Sequence, residues 1–156
     1  MTKYVPEDAL NSPRFSGIKT FMRLPNIKTN EDIDFAIVGI PFDTACTFRT
    51  GSRFGPSAIR EMSVTLRQYN MNLNVNIAEE LSGVDYGDIP VIPGFIEDSY
   101  KNIEEGIAPL INNNVIPISL GGDHSITLAE LRAVAKKYGP VALVHFDSHM
   151  DTVDSY

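Results

Sequence analysis

Acid, Ser, His, Met, acid is the order of side chains from Asp147 to Asp151, directly after the apolar run Val141-Ala142-Leu143-Val144-His145-Phe146. A run this short and this rich in Val, Leu and Phe reads as one strand buried on both faces, which delivers its polar end to a sheet edge. Where the backbone stays extended past Phe146, side chains alternate. Asp147, His149 and Asp151 then point one way, and Ser148 and Met150 the other. Two carboxylates held side by side repel, and a cation between them removes the repulsion. The spacing therefore predicts a metal cradle. His145 is set apart from it as a packed histidine, the usual fate of a single His in an apolar setting.

A second polar group, Gly121-Gly122-Asp123-His124-Ser125, follows a second apolar run, Val115 to Leu120. In a parallel sheet the loops leaving the carboxyl ends of strands gather at one edge, where such folds bind ligands. With the two strands adjacent, His124 joins Asp147, His149 and Asp151. That set carries enough negative charge for two divalent ions sharing a bridging carboxylate. Imidazole and carboxylate without thiolate suit Mn²⁺, and Fe²⁺, Co²⁺, Ni²⁺ or Zn²⁺ bind the same atoms. His124 and Asp123 also have a plainer reading, as caps of the helix that begins near Ser125. Asp123 is assigned the orienting of a ligand rather than a place on the ion.

The elements that must position these groups are legible in order. Asp34 to Ile40 is a strand, and the loop Phe42 to Pro56 carries Asp43, Arg49, Arg53 and two glycines. The two Arg side chains are read as tied to acidic groups or to a subunit contact. Pro56 opens a helix whose stripe Ile59, Met62 and Leu66 is predicted to be core. Residues 77–93 read as strand-like, densest from Val84 to Ile89, with Asp85 and Asp88 in turn and capping roles. Asp98 to Asn112 is a helix with Ile103, Ile107, Leu110 and Ile111 on one side, Val115 to Leu120 a buried strand, and Thr127 to Tyr138 a helix stopped by Gly139-Pro140. Strands alternating with helices predict a parallel sheet with helices packed over it. Residues 1–30, marked by Pro6, Pro13 and Pro25, read as an N-terminal arm whose Phe21, Met22 and Leu24 can dock on a neighbouring surface; residues 31–156 read as the first part of one domain.

Composition narrows the classes. With 156 residues, 43% apolar and 21% charged, the chain has the material for one real core. A formal net charge of −7 argues against nucleic acid and anionic membranes as partners. The single Cys46 cannot form an internal disulfide and reads as a small filler, with a reducing cytoplasm as the expected compartment. No apolar stretch approaches the roughly 20 residues of a membrane span, so a soluble, unanchored protein is expected.

Gly121-Gly122-Asp123-His124-Ser125 followed by Asp147-Ser148-His149-Met150-Asp151 resembles the first two signature motifs of the ureohydrolase family, which includes arginase, agmatinase and formiminoglutamase. Thr20-Phe21-Met22-Arg23-Leu24-Pro25, Gly39-Ile40-Pro41-Phe42-Asp43 and the segment Gly51 to Arg60 resemble its agmatinase branch in particular, and the likeness runs from Phe15 onward. It implies a three-layer α/β/α sandwich on a mainly parallel sheet, of the arginase and deacetylase type, incomplete at the C-terminus of this chain. It also implies ligand roles. His124 corresponds to the terminal ligand of one manganese ion and His149 to that of the other, while Asp147 corresponds to a carboxylate bridging both and Asp151 to a further ligand of the first.

Two Mn²⁺ per subunit and no organic cofactor follow from the same likeness. So does the reaction: a small cationic guanidino compound is hydrolysed to urea and an amine. Val153 stands where arginases typically place an Asn that grips the amino acid head group. Agmatine is thus the expected substrate, yielding putrescine for polyamine biosynthesis. Guanidinobutyrase, arginase and formiminoglutamase are the related alternatives, and a non-catalytic truncated binding subunit is the alternative from another class. A metallophosphoesterase carries its acid-gap-His element before its Gly-Asp element, the reverse of the order here. The family's remaining aspartates, a His and a Glu that contacts the guanidinium are expected beyond Tyr156, together with the general acid and base, so residues 1–156 alone are expected to be inactive. The likeness further implies a homo-oligomer, trimer or hexamer.

Overall fold

A computed structural model describes residues 2–152. The elements run β1 (Phe35–Ile40), α1 (Gly55–Ser63), β2 (Tyr69–Asn70), β3 (Val75–Asn76), α2 (Ile77–Glu80), β4 (Gly83–Asp88), α3 (Ile96–Asn112), β5 (Ile116–Gly121) and α4 (Ile126–Tyr138). Strand β1 is apolar along both faces and, after Phe35, buried throughout, which is what a strand with neighbours on both sides and layers above and below requires. It pairs in parallel with β4 on one side and β5 on the other, in the order β4-β1-β5. The short strands β2 and β3 make a separate antiparallel ribbon.

One face of this sheet carries the main core. Ala36, Val38 and Ile40 of β1 and Val84 of β4 pack against Ile103, Ile107 and Leu110 of α3 and against Ala129 and Ala133 of α4. Each large aliphatic chain fully buried there contributes about 1.5–3 kcal/mol. Pro109 is accommodated in the last turn of α3, where its carbonyl accepts the Asn113 N–H and the Asn113 side-chain amide. The opposite face holds Leu24 against Ile37 and Leu120, flanked by Phe21 and Phe35. The N-terminal arm therefore docks on its own chain: the Asp85 N–H donates to Pro25 O at 2.9 Å and the Gly83 N–H to Tyr4 O at 2.9 Å. Among the described residues, no helix is long and apolar enough to cross a membrane.

Four expectations are corrected. The stripe Ile59, Met62 and Leu66 is exposed by 40%, 69% and 49%, and α1 instead buries Pro56, Arg60 and Ser63. The inward face is taken by Arg60, because a carboxylate buried on β4 needs a cation. Strand β5 is not fully buried, with Ile116 and Ile118 65% and 44% exposed; it is an edge strand, which is also why it tolerates Pro117. Residues 77–93 hold the short helix α2 as well as β4. Finally, Val141 to Phe146 forms no strand, and Val144 and Phe146 are 77% and 96% exposed. A run apolar on both faces is stable as a strand only when paired and covered on both sides, and among the described residues nothing covers it.

Candidate metal centre

The first motif is fixed by the turn that leaves β5. Gly122 has φ +79°, and a Cβ there would collide with Ile40 O and lie 2.9 Å from Phe42 O, so only glycine fits. This approach lets the Asp123 N–H donate to Phe42 O at 2.7 Å. The Asp123 carboxylate then accepts the Ala45 N–H at 3.0 Å, the Ser125 N–H at 3.0 Å and the Ser125 hydroxyl. Asp123 is thus a staple between the loops after β1 and β5 and a cap for α4, and none of its described hydrogen bonds goes to an imidazole. It orients the backbone that carries His124 rather than the ring itself.

The loop after β1 is held by Asp43, whose carboxylate is buried. It accepts Arg53 Nε–H at 2.7 Å and the Gly51 N–H at 2.8 Å. The Arg53 guanidinium, helped by the Gly51 N–H, outweighs burial and holds the carboxyl at about 2. Arg53 thus pairs with an acid of its own loop, while Arg49 lies over the Phe48 ring at 5.2 Å. Asp85 and Asp88, read from the sequence as turn residues, instead bind Arg60, at 2.8 and 2.5 Å.

The two motifs meet. His124 Nε2 lies 3.0 Å from Asp151 Oδ2, and His145 Nε2 lies 3.4 Å from Asp147 Oδ2 and 3.6 Å from Asp151 Oδ2. The His124 and His145 rings stand edge to face with centroids 4.8 Å apart. One donor atom from each of His124, His145, Asp147 and Asp151 falls within 4.8 Å of the others. A cavity of about 210 Å³ is lined by His124, Thr127, Leu143, His145 and Asp147. His149 stands at the rim, its side chain 80% exposed and its Nδ1 3.2 Å from Asp147 Oδ1. The same oxygen accepts the His149 N–H at 2.9 Å, a side-chain-to-backbone turn of the kind Asp favours.

Three of the four predicted ligands, His124, Asp147 and Asp151, therefore converge, His149 lies beside them, and His145 joins. His145 meets the cluster without strand register, since residues 141–151 form no strand. Val153, the position matched to an arginase Asn, lies outside the described residues.

Electrostatics favours a cation here. The His149 N–H holds the Asp147 carboxyl at about 2, against the opposing effect of burial and with help from His145, so it remains a charged donor through the physiological range. Two imidazoles and two carboxylates around a small cavity fit a divalent transition metal by donor type and charge.

A parallel α/β sheet with helices packed over it, and imidazoles and carboxylates gathered over a shared cavity from the turn after β5 and the segment after α4, defines an α/β protein with a candidate metal site. The chain belongs to the Arginase family, which it matches over residues 33–156. It is 41% identical to guanidinobutyrase of Pseudomonas aeruginosa over 145 residues, covering 91% of this chain and 46% of that protein. It is 42% identical to the mitochondrial agmatinase of Gallus gallus over 150 residues, covering 96% and 44%. The chain thus spans a little under half the length of these relatives. Among solved structures, it superposes on proclavaminate amidino hydrolase from Streptomyces clavuligerus with a TM-score of 0.87 and 36% identity, over 93% of this chain and 48% of that one. It also superposes on Trypanosoma cruzi formiminoglutamase with Mn²⁺, with a TM-score of 0.64 and 26% identity over 75% and 40%. The fold is the arginase-type parallel α/β fold.

Proposed function

We propose that this chain is the metal-binding first half of a manganese-dependent ureohydrolase, and that the full-length protein hydrolyses agmatine to putrescine and urea. The observation that carries the reading is the meeting of the two motifs, with His124 Nε2 3.0 Å from Asp151 Oδ2 between the turn that leaves β5 and the segment that follows α4. The residues that would hold two Mn²⁺ are His124, Asp147, His149 and Asp151. Bound divalent ions supply Lewis-acid activation of water for attack on a guanidinium carbon. Asp147 and Asp151 keep the edge negative, which draws a cationic guanidino group toward it. Asp123 and Gly122 hold His124 in place through the backbone bonds described above. Manganese is supported by the Mn²⁺ named for the Trypanosoma cruzi neighbour. The reading assigns turnover to the full-length protein, as a cytoplasmic homo-oligomer, trimer or hexamer, and expects none from residues 1–156 alone.

Guanidinobutyrate is the second substrate reading, favoured by the 41% identity to guanidinobutyrase. The test is release of urea or formamide by the full-length protein with Mn²⁺ from agmatine, arginine, guanidinobutyrate and formiminoglutamate. Fastest turnover of agmatine supports the first reading and fastest turnover of guanidinobutyrate the second. No product from any of the four leaves a non-catalytic binding subunit.

A further inference from the structure

We infer that Arg23 forms a second binding site, for the carboxylate of a short aliphatic acid, and that Glu7 is the internal competitor for it. No residue of the metal centre takes part. The starting point is an unused donor. The Arg23 side chain is 6% exposed, and its Nη1 is the only buried side-chain nitrogen or oxygen among the described residues without a hydrogen-bond partner. A guanidinium N–H that has left water without finding an acceptor carries a desolvation cost, larger because the group is charged. Arg23 is nevertheless held inside, in a turn where Met22 and Arg23 both take positive φ, +51° and +63°. Consecutive left-handed residues other than glycine persist only where their surroundings demand it.

Comparison with Arg60, also buried, shows what Arg23 lacks. Arg60 donates to carboxylates from Nε, Nη1 and Nη2, whereas among the described hydrogen bonds the Arg23 side chain donates from Nη2 alone, to Glu7 Oε2 at 2.7 Å. The planar fork of a guanidinium matches the two oxygens of one carboxylate, so an acid set squarely on Nη1 and Nη2 satisfies both. Glu7 leaves half of the fork unused, and with its side chain 55% exposed it can turn into water and release Nη2. Beside the pair lies a cavity of about 400 Å³, lined by Arg23 and Glu7 and by Val5, Ile18, Leu24 and Pro25. Apolar walls with a few polar groups suit a small ligand. The charged end belongs on Arg23 and the aliphatic chain on the apolar wall. With Glu7 turned out, Arg23 is the one charged side chain lining the cavity, which favours an anion over a neutral or cationic group.

Butyrate is the probe and butyramide, its neutral counterpart, the control. Both are titrated calorimetrically at pH 7 into the full-length protein and its Glu7→Gln and Arg23→Lys variants. Glu7→Gln removes the competing charge and is expected to tighten butyrate binding by about 10-fold; a Glu7–Arg23 pair with a merely structural role gives no such gain. Arg23→Lys keeps the charge but loses the fork, and is expected to abolish binding. Butyramide is expected not to bind. If Arg23→Lys misfolds, the comparison of the parent with Glu7→Gln, altered only at a half-exposed side chain, decides the matter. Equal butyrate affinity in those two proteins overturns the inference. So does butyrate binding retained in a folded Arg23→Lys, butyramide binding as tight as that of butyrate, or no butyrate binding by either parent or Glu7→Gln, which leaves Nη1 to water.

Discussion

Arg60 and Asp85 form a two-point ion pair inside the fold, with Nε to Oδ2 at 2.8 Å and Nη2 to Oδ1 at 2.9 Å. Asp85 is fully buried, and it also accepts the Phe21 N–H at 2.8 Å and the Gly87 N–H at 3.0 Å. Burial of Arg60 opposes its charge, but the hydrogen bonds it donates to Asp85 and Asp88 outweigh it and the guanidinium is held more firmly protonated. This pair joins α1, β4 and the N-terminal arm at one point. Removing Arg60 leaves a buried carboxylate unpaired, so Arg60→Ala is expected to destabilise the fold by about 3–5 kcal/mol. Urea denaturation measures it; a loss under about 1 kcal/mol would mean that water replaces the guanidinium.

Asp43 sets an acid limit. Its carboxyl is lowered to about 2 by Arg53, from 3.8 when unperturbed. A depressed folded value means that the unfolded chain binds the proton first, so the stabilisation is complete above about pH 4 and is lost as pH falls toward 2. Melting temperatures from pH 5 to pH 2 should fall more steeply for the parent than for Asp43→Asn. Parallel curves would show that the pair contributes nothing to the acid transition.

The parts of the fold that were legible are those where one physical requirement dominated. β1 is apolar at every step and lies between two strands; α3 buries Ile103, Ile107, Leu110 and Ile111 as its spacing implied. α1 misled because apolar spacing tells which residues share a face, and not which face the fold uses. Ile59 and Met62 share one, yet Arg60 turns inward because Asp85 lies buried on another strand, a partnership across 25 residues that no local pattern carries. Val141 to Phe146 misled for the opposite reason: its pattern is that of a covered strand, and cover is a property of surroundings. The nearness of His145 to His124, Asp147 and Asp151 has no local signal of this kind, because residues 141–151 form no strand and the contact is made across the fold.

Glu130 is a liability at neutral pH. Burial raises its carboxyl above the ordinary 4.5, and a hydrogen bond with Ser119 only partly offsets this. A raised folded value means that the folded state holds the proton longer, so stability declines as pH rises through the folded value and the loss persists at pH 7. Glu130→Gln, which keeps the shape without the charge, is therefore expected to raise the melting temperature at pH 7 and to leave it nearly unchanged at pH 4. Equal melting temperatures at pH 7 would place the Glu130 carboxylate in water.

Gly122 separates two costs that a glycine substitution combines. Gly17 and Gly122 have nearly the same positive φ, +78° and +79°, but a Cβ on Gly17 meets nothing within 4 Å, while one on Gly122 meets the backbone oxygens of Ile40 and Phe42. Gly17→Ala therefore carries only the left-handed backbone cost of about 1–2 kcal/mol. Gly122→Ala carries that cost and also forces apart the loops after β1 and β5, breaking the 2.7 Å bond from the Asp123 N–H to Phe42 O. Since Asp123 fixes the backbone of His124, the second substitution should lower Zn²⁺ affinity as well as stability, and the first should lower stability alone. Denaturation and Zn²⁺ titration of the two variants side by side test this, and equal losses in both measurements would show that crowding at Gly122 is relieved without moving the site.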